Sequence, residues 1–308
     1  MDIVRGHQQA PPWRGAAIAI GNFDGVHRGH QALLARARAH ADHAGVLAVA
    51  LTFDPHPTQV LAPVAAPRMI TSLHRRLELL AAAGMDAVVV EPFTRALAGL
   101  TAEAFVDDVL VDALTAHAVV VGYDFSYGQG RQGTTHTLAD HGERAGFAVD
   151  VVAPVEIDGV AASSTRIRRA LAAGDLGLVD RLLGRRYDVD GVVVHGAKRG
   201  RTIGVPTANI ACHGELLLAP GIYAVRLAVE GGPLLPGVAS LGTNPTFLNN
   251  GGLSFEVHLL DFAGEIYDRH VRVEAVARLR DEAKYDSIEA LVAQIQRDIA
   301  DGRAILGR

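Results

Sequence analysis

The sequence predicts a two-domain α/β protein: a doubly wound parallel sheet over residues 1–183, then a small antiparallel β-barrel closed by a helix over residues 184–308. Two observations predict it. Short apolar runs alternate with helix-spaced apolar residues up to about residue 155. After about residue 184 the pattern changes to short strands punctuated by Gly and Pro.

In chain order, AAIAI (16–20), VLAVALTF (46–53), AVVV (87–90), AVVV (118–121) and FAVDVVA (147–153) read as strands. Their near-continuous apolar character predicts a parallel sheet covered on both faces. Between them Leu33, Leu34, Ala37 and Ala41 recur at helical spacing, as do Leu73, Leu77 and Leu80. Thr101 is placed as an N-cap before AEAFVDDVLVDAL, with Glu103 at the positive end of that helix. The stretch from Ser164 to Arg186, interrupted at Gly174 and Asp175, reads as a helical bridge between the domains. In the second half GVVVHGAK (191–198), GIYAVRLAV (221–229), LSFEVHLLDF (253–262) and HVRVEAV (270–276) show partial alternation. Turn formers from Glu230 to Pro233 and from Asn249 to Gly252 separate them, as in a small barrel or sandwich. Ser287 caps a last helix whose apolar stripe is Ile288, Leu291, Val292, Ile295 and Ile299.

Composition bounds the function. At 308 residues, 49% hydrophobic and 20% charged, the chain can bury two ordinary cores. No apolar run approaches the ~18 residues of a membrane span. The opening MDIVRGHQQAPPWRG lacks the charged-then-apolar pattern of an export signal. A cytoplasmic protein without a membrane partner is therefore expected. Cys212 is the sole cysteine, which excludes an intrachain disulfide and a cysteine-based metal cage. A net charge of −5 argues against nucleic acid as the main partner but permits local basic pockets for nucleotides. Oligomeric state is left open, a homo-oligomer included.

The segment AIAIGNFDGVHRGHQALLARA (17–37) is the most informative. A strand ends at Ile20, and Gly21, Gly25 and Gly29 fall in the turn and the helix start. His27 and His30, three apart, share a face at the helix N-terminus. Unpaired N–H groups and the helix dipole attract a polyphosphate there, and imidazoles can donate to phosphoryl oxygens as charge develops. There is no G-x-x-x-x-G-K-[ST], so this is not a P-loop. A metal site is disfavoured because no third ligand is evident. Gly128, Gly130 and Gly133 do satisfy G-x-G-x-x-G, with Asp150 at the distance of a ribose-binding acid. That dehydrogenase reading fails on position: Tyr123 to Tyr127 intervene between the strand and the first glycine, and Asp150 lies inside an apolar run.

GNFDGVHRGH resembles the H-x-G-H phosphate-binding motif of nucleotidylyltransferases, in the form seen in bacterial bifunctional riboflavin kinase/FMN adenylyltransferases. The resemblance continues through FDPHP (53–57), GYDFSYGQGRQG (122–133), SSTRIRRALAAGD (163–175), GRTIGVPTANI (200–210), PGIYAV (220–225), LGTNPTF (241–247), FEVHLLDF (255–262) and LRDEAKYDSIEAL (279–291). It implies a Rossmann-like nucleotidylyltransferase domain followed by a riboflavin kinase domain. It further implies that ATP and Mg²⁺ serve the conversion of riboflavin to FMN, and of FMN to FAD with release of pyrophosphate.

The resemblance also implies roles for individual residues. His27 and His30 would bind the ATP phosphates, with Gly21, Asn22 and Asp24 shaping the turn. Ser164, Thr165 and Arg168 match a second phosphate-binding motif. Pro55, His56, Asp124 and Phe125 would contact the flavin. In the second half Gly204, Thr207 and Asn209 would hold the kinase nucleotide and its Mg²⁺, although Pro206 to Asn209 taken alone reads as an ordinary turn. Glu256 and His258 point away from Phe255 and Val257 on one strand, and the kinase pattern makes Glu256 the base for the ribityl hydroxyl. Departures from the family pattern are Val205 for a usual Phe, Tyr285 for a Phe and Asp268 for a Gly; Tyr127 exchanges one aromatic for another. The alternatives are an adenylyltransferase for another phosphate ester with the barrel as a binding appendage, and a non-catalytic flavin carrier.

Overall fold

The computed structural model describes residues 1–196, 204–243 and 253–307. The start of the 200–210 segment, the end of the 241–247 segment and the expected Asn249–Gly252 turn lie outside them. By internal contacts the chain forms two compact units, Met1–Pro67 with Leu73–Ser163, and Arg68–Ser72 with Ser164–Arg308.

The first unit is built on a six-stranded sheet ordered β1-β4-β3-β2-β5-β8, every neighbouring pair parallel. Its strands are β1 (Asp2–Arg5), β2 (Ala16–Ile20), β3 (Leu47–Asp54), β4 (Ala87–Pro92), β5 (Ala116–Gly122) and β8 (Ala148–Val152). The main helices are α1 (Arg28–Ala44), α2 (Pro57–Leu61), α3 (Leu73–Ala82), α4 (Arg95–Ala98), α5 (Ala102–Ala104) and α6 (Thr135–Ala145). The expected Thr101 cap is present: Ala104 N donates to Thr101 Oγ1 at 3.1 Å. Beyond it, Phe105–Ala113 winds with the wider π pattern.

The apolar runs divide by period two between two cores. Ile18, Ile20, Val49, Leu51, Val119 and Val121 face Phe105, Val109 and Leu138 on one side. On the other side Ala17, Ala19, Ala48 and Ala50 face Leu34, Ala37 and Ala41 of α1. Small side chains on both surfaces let α1 pack against the sheet.

Two short hairpins, β6 (Ser126–Tyr127) with β7 (Gly133–Thr134) and β9 (Glu156–Ile157) with β10 (Val160–Ala161), project from this sheet. The G-x-G-x-x-G match lies in the first of them, around a turn at Gln129–Arg131, and not in a strand-to-helix turn. Asp150, within β8, accepts from Arg36 Nε at 2.8 Å and from His40 Nε2 at 2.9 Å, both on α1. The Arg36 hydrogen bond, aided by His40, holds this carboxyl below the usual range. It is a helix-to-sheet tie, which removes the dehydrogenase reading.

The second unit centres on a closed antiparallel barrel, β11-β12-β15-β14-β13-β16, sealed by the β11–β16 pair. Its strands are β11 (Tyr187–Val194), β12 (Ala208–Cys212), β13 (Gly221–Val229), β14 (Leu235–Thr243), β15 (Leu253–Leu259) and β16 (His270–Arg280). Strands β12 and β14 go beyond the sequence reading: Asn209 belongs to a strand, and only Pro206 and Thr207 stay in the entering loop. Burial pushes the Cys212 thiol up to about 12, which keeps it protonated. The last helix, α9 (Ile288–Leu306), starts at Ser287, whose Oγ accepts from Ala290 N at 3.1 Å.

The expected bridge forms two helices, α7 (Ser164–Ala173) and α8 (Leu176–Leu183). Gly174, at φ +74°, separates them, and Asp175 caps the second. Both group with the barrel. Ala219 N donates to Leu171 O at 3.2 Å, and Gly174 leaves room for the Arg278 side chain, whose Cδ would stand 2.7 Å from an added Cβ. Contacts therefore divide the chain at Ser163, whereas the sequence rhythm suggested 183/184. Leu176, Val179, Leu182 and Leu183 are buried in this unit, each worth about 1.5–3 kcal/mol. A fragment beginning at Gly184 is expected to melt well below one beginning at Ser164, measured by circular dichroism. Equal melting temperatures would show that α7 and α8 contribute nothing to the barrel.

Candidate active sites

The sheet order of the first unit reverses direction at β2. The strand that follows it in sequence, β3, lies on one side of β2, and β5 on the other. Loops leaving such a switch point at the carboxyl ends of parallel strands form the binding crevice of open α/β sheets. A cavity of about 660 Å³ occupies this position, lined by Gly21 and Asn22 after β2, Phe53 and His56 after β3, Phe93 after β4, and Asp124 and Phe125 after β5. Five expected site residues thus share one cavity. Pro55 does not line it as directly, but precedes His56, whose Nδ1 accepts from Thr58 N at 3.2 Å to cap α2.

The loop from Gly21 to His27 is strained. Phe23 at φ +49° and Val26 at φ +40° hold left-handed backbone without being glycine, at about 1–3 kcal/mol each. Both are buried, Phe23 completely, and this packing offsets the strain. Arg76 of α3, 2% exposed, fixes the loop from below. Its Nη1 donates to the carbonyls of Asn22 and Phe53, each at 3.1 Å, and Thr52 Oγ1 donates to the same Asn22 carbonyl at 3.1 Å. Asp24 and Asp54 supply its countercharge. Sequence reasoning missed Arg76, because one arginine within LHRRLELL looks like a solvated helix residue.

His27 caps α1 through its ring: His30 N donates to His27 Nδ1 at 3.3 Å. A neutral His27 must then carry its proton on Nε2. The two imidazoles stack with centroids 3.7 Å apart and planes 18° apart. Gly29 is needed here, since an added Cβ would stand 3.1 Å from His27 Cε1. Burial first, then positive charge at His27 and Arg76, depresses the His30 pKa well below its ordinary value. His30 Nδ1 is buried with no hydrogen-bond partner among the described residues. The pair does not line the 660 Å³ cavity; it belongs to the same loop as Gly21 and Asn22. Ser164, Thr165 and Arg168 occupy the first turns of α7 in the second unit, where Arg168 Nε donates to Arg68 O at 2.6 Å.

In the second unit Thr207 Oγ1 donates to Glu256 Oε2 at 2.9 Å, and Ser254 Oγ donates to Oε1 at 3.2 Å. Asn209 and Glu256 are paired across β12 and β15. Gly196 lets the Asn209 amide lie against its backbone, since an added Cβ would fall 2.2 Å from Nδ2. His258 Nδ1–H donates to Pro206 O at 2.8 Å and so anchors the entering loop. Gly204, at φ +77°, begins the described part of that loop. Glu256, Thr207 and His258 line a cavity of about 570 Å³, walled by Val205, Ile222, Val238, Leu291, Ile295 and Ile299. Thr207 also lines a second cavity of about 90 Å³, with Phe262, Glu265 and Tyr267. One hydroxyl therefore borders both spaces. Sequence reasoning also missed Arg280 and Asp298 on the larger cavity, whose ion pair joins the end of β16 to α9.

A loop at a sheet switch point is thus joined in one chain to a barrel with a threonine–carboxylate pair beside two cavities. Comparison with known proteins gives the family. The FAD synthetase family matches residues 9–166 and the riboflavin kinase family residues 183–306. The bifunctional riboflavin kinase/FMN adenylyltransferase of Pseudomonas fluorescens is 42% identical over 99% of this chain and 98% of its own. The protein of that name from Escherichia coli (strain K12) is 39% identical over 100% and 98%. A crystal structure named as a macrolide-efflux protein from Streptococcus pneumoniae superposes with a TM-score of 0.87 at 30% identity, covering 98% of this chain and 99% of that one. The chain belongs to the bifunctional riboflavin kinase/FMN adenylyltransferase family.

Two outcomes follow from the first site. His30 stays neutral in the folded chain at pH values where the unfolded chain binds a proton. Its contribution to stability is complete above about pH 6.5 and is lost as pH falls towards the depressed folded value. Between pH 7.5 and 5 (the range about the ordinary histidine value) the denaturant midpoint of His30→Gln is expected to fall less steeply than that of the wild type; equal slopes would refute this. Arg76→Leu, which leaves the Phe53 carbonyl without this donor and the Asn22 carbonyl with Thr52 alone, is expected to cost about 1–3 kcal/mol in urea unfolding and to slow FAD formation. A variant as stable as the wild type would show that water replaces the guanidinium.

Proposed function

We propose that the two centres divide the two reactions of this enzyme: the barrel phosphorylates riboflavin to FMN, and the parallel-sheet unit adenylylates FMN to FAD. The observation that carries the kinase assignment is the Thr207–Glu256 hydrogen bond at a residue bordering both barrel cavities. The larger, mostly apolar space suits a flat flavin ring. The smaller one, beside Phe262 and Tyr267, suits part of the nucleotide. Glu256 accepts the proton of the terminal ribityl hydroxyl as its oxygen bonds to the γ-phosphorus. The bond to the β–γ bridging oxygen breaks and ADP leaves.

The hydroxyl of Thr207 and the amide of Asn209 are hard oxygen donors beside a carboxylate, and they fit Mg²⁺ held largely by substrate phosphates. No cluster of three or more His, Cys, Asp or Glu groups that could hold a metal occurs among the described residues. When bound, Mg²⁺ neutralises charge on the phosphate groups. Thr207 and Asn209 orient the nucleotide, and Gly204 gives its phosphates access to the backbone.

In the first unit a phosphate oxygen of FMN attacks the α-phosphorus of ATP, and pyrophosphate leaves. His27, with its proton on Nε2, donates to the leaving oxygens at the positive end of α1, and His30 supports it through the stacked ring. Pro55, His56, Asp124 and Phe125 position the flavin. Gly21, Asn22 and Asp24 keep the loop open to phosphate. The phosphate roles of Ser164, Thr165 and Arg168 rest on the motif match, supported by two hydroxyls and a guanidinium at a helix start. Both reactions draw on ATP, which supports a cytoplasmic location; among the described residues no helix is long and apolar enough to cross a membrane.

Glu256→Gln is expected to lower FMN formation by about 10²–10⁴ and to leave adenylylation of supplied FMN near wild type, read by chromatography of the flavins. A kinase rate within a few-fold of wild type would remove Glu256 from the mechanism. The reverse pattern is expected for His27→Ala with His30→Ala: FAD formation lost, FMN formation retained. Equal loss of both activities in a folded protein would mean that the centres are not separate.

A further inference from the structure

One row of the barrel carries Asn209 on β12, Glu256 on β15, Ser240 on β14, Ile222 on β13 and Arg280 on β16, each paired in register with the next. Paired residues of antiparallel strands project to the same face. Glu256, Ser240, Ile222 and Arg280 accordingly all line the 570 Å³ cavity. From Glu256 the row steps to Ser240, to Ile222 and to Arg280, a path of about 14 Å at the ordinary strand spacing. It is charged at both ends and apolar at Ile222, with Leu291, Ile295 and Ile299 of α9 adding further apolar wall.

Arg280 is held in one orientation. Its Nε donates to Asp298 Oδ1 at 2.8 Å and its Nη2 to Oδ2 at 2.6 Å, while Nη1 donates to Asp281 O at 2.8 Å. Asp298 is 3% exposed and also accepts from Gln294 Nε2 at 2.8 Å. Each Nη of the guanidinium keeps a second hydrogen. Apolar residues would close a seam between strand and helix at least as well as a buried ion pair. A rigid, planar donor on the wall of a mostly apolar cavity is instead suited to a polar edge of the ligand.

We propose that Arg280, positioned by Asp298, is the specificity-determining residue that reads the carbonyl edge of the flavin ring, while the ribityl chain runs along the row to Glu256. The inference rests on the assignment of this cavity to riboflavin. The pyrimidinedione end of the ring carries two carbonyl oxygens and the opposite end two methyl groups, so a fixed donor at Arg280 selects one orientation. That orientation decides whether the terminal hydroxyl reaches Glu256.

The test uses the full-length protein, with riboflavin affinity read by quenching of flavin fluorescence and kinase KM values for both substrates. Arg280→Met alone leaves Asp298 buried without its partner, so Arg280→Met/Asp298→Leu is studied beside it as an apolar replacement of the pair. Both variants are expected to bind riboflavin about 10- to 100-fold more weakly, the scale of a hydrogen bond to a charged group, with the KM for ATP unchanged. The wild type is expected to prefer riboflavin over 2-thio- or 4-thioriboflavin, whose sulfur accepts hydrogen bonds poorly, and the variants are expected to lose that preference. Parallel weakening of ATP and riboflavin with the preference intact would reduce the pair to a structural clamp and overturn the proposal. Ile295→Trp, which fills the cavity, separates the two levels. Riboflavin binding lost in Ile295→Trp but normal in the double variant overturns the role of Arg280 alone. Binding unaffected by Ile295→Trp overturns the cavity assignment as well.

Discussion

The first centre depends on one buried guanidinium. A loop leaving a parallel sheet at a switch point has carbonyls that no neighbouring strand can pair, and burying them unpaired costs about 1–3 kcal/mol each. Arg76 donates with a single nitrogen to the Asn22 carbonyl in the loop after β2, which Thr52 Oγ1 also serves, and to the Phe53 carbonyl near the end of β3. It thereby ties the loop after β2, which carries the histidines, to the loop after β3, which carries Pro55 and His56. Its own charge would be expensive at 2% exposure without Asp24 and Asp54 nearby. The same charge helps keep His30 neutral. The shape of the loop after β2, the position of the loop after β3 and the protonation of His30 thus share one cause.

The second centre works by register. Closure of the barrel leaves each strand little freedom to slip, because a one-residue shift would turn every side chain to the other face. The row from Asn209 to Arg280 is therefore as rigid as the barrel, and Glu256 receives its two hydroxyl donors from a neighbouring loop and from its own strand. His258 anchors the Pro206 carbonyl from the same face. The loop that enters β12 is in this way pinned at Pro206 and Thr207.

What could be read in the sequence depended on how local the signal was. The buried strands of the first unit were legible because parallel strands covered on both faces are nearly all apolar, as β2 is. The caps at Thr101 and Ser287 were legible because capping is decided within three residues. Strand β14 was not, since Pro236 and Gly237 near its start break the strand pattern. Strand β12 was not, because Ala208 and Asn209 follow a proline and look like loop. Residues at the centres followed the same rule. Gly21, Asn22, His56, Asp124 and Phe125, each read from a motif, converge on one cavity. Arg76, Arg280 and Asp298 gave no signal, because each is a charged residue in an amphipathic or alternating segment and only the tertiary fold shows it to be enclosed. That α7 and α8 pack with the barrel was hidden for a related reason: it depends on where Leu171 and Leu182 are buried.

The alanines beneath α1 set a standoff. Ala17, Ala19, Ala48 and Ala50 offer the helix a surface of methyl groups, and Ala37 and Ala41 return the same. The height at which His27 and His30 stand above the sheet is thus determined two and three helical turns away, by a layer of methyl groups. Growth of any one of these methyls to an isopropyl group would lift the near end of a stiff rod, and with it the imidazoles at its tip. The imidazoles inherit their coordinates from a packing layer they never touch.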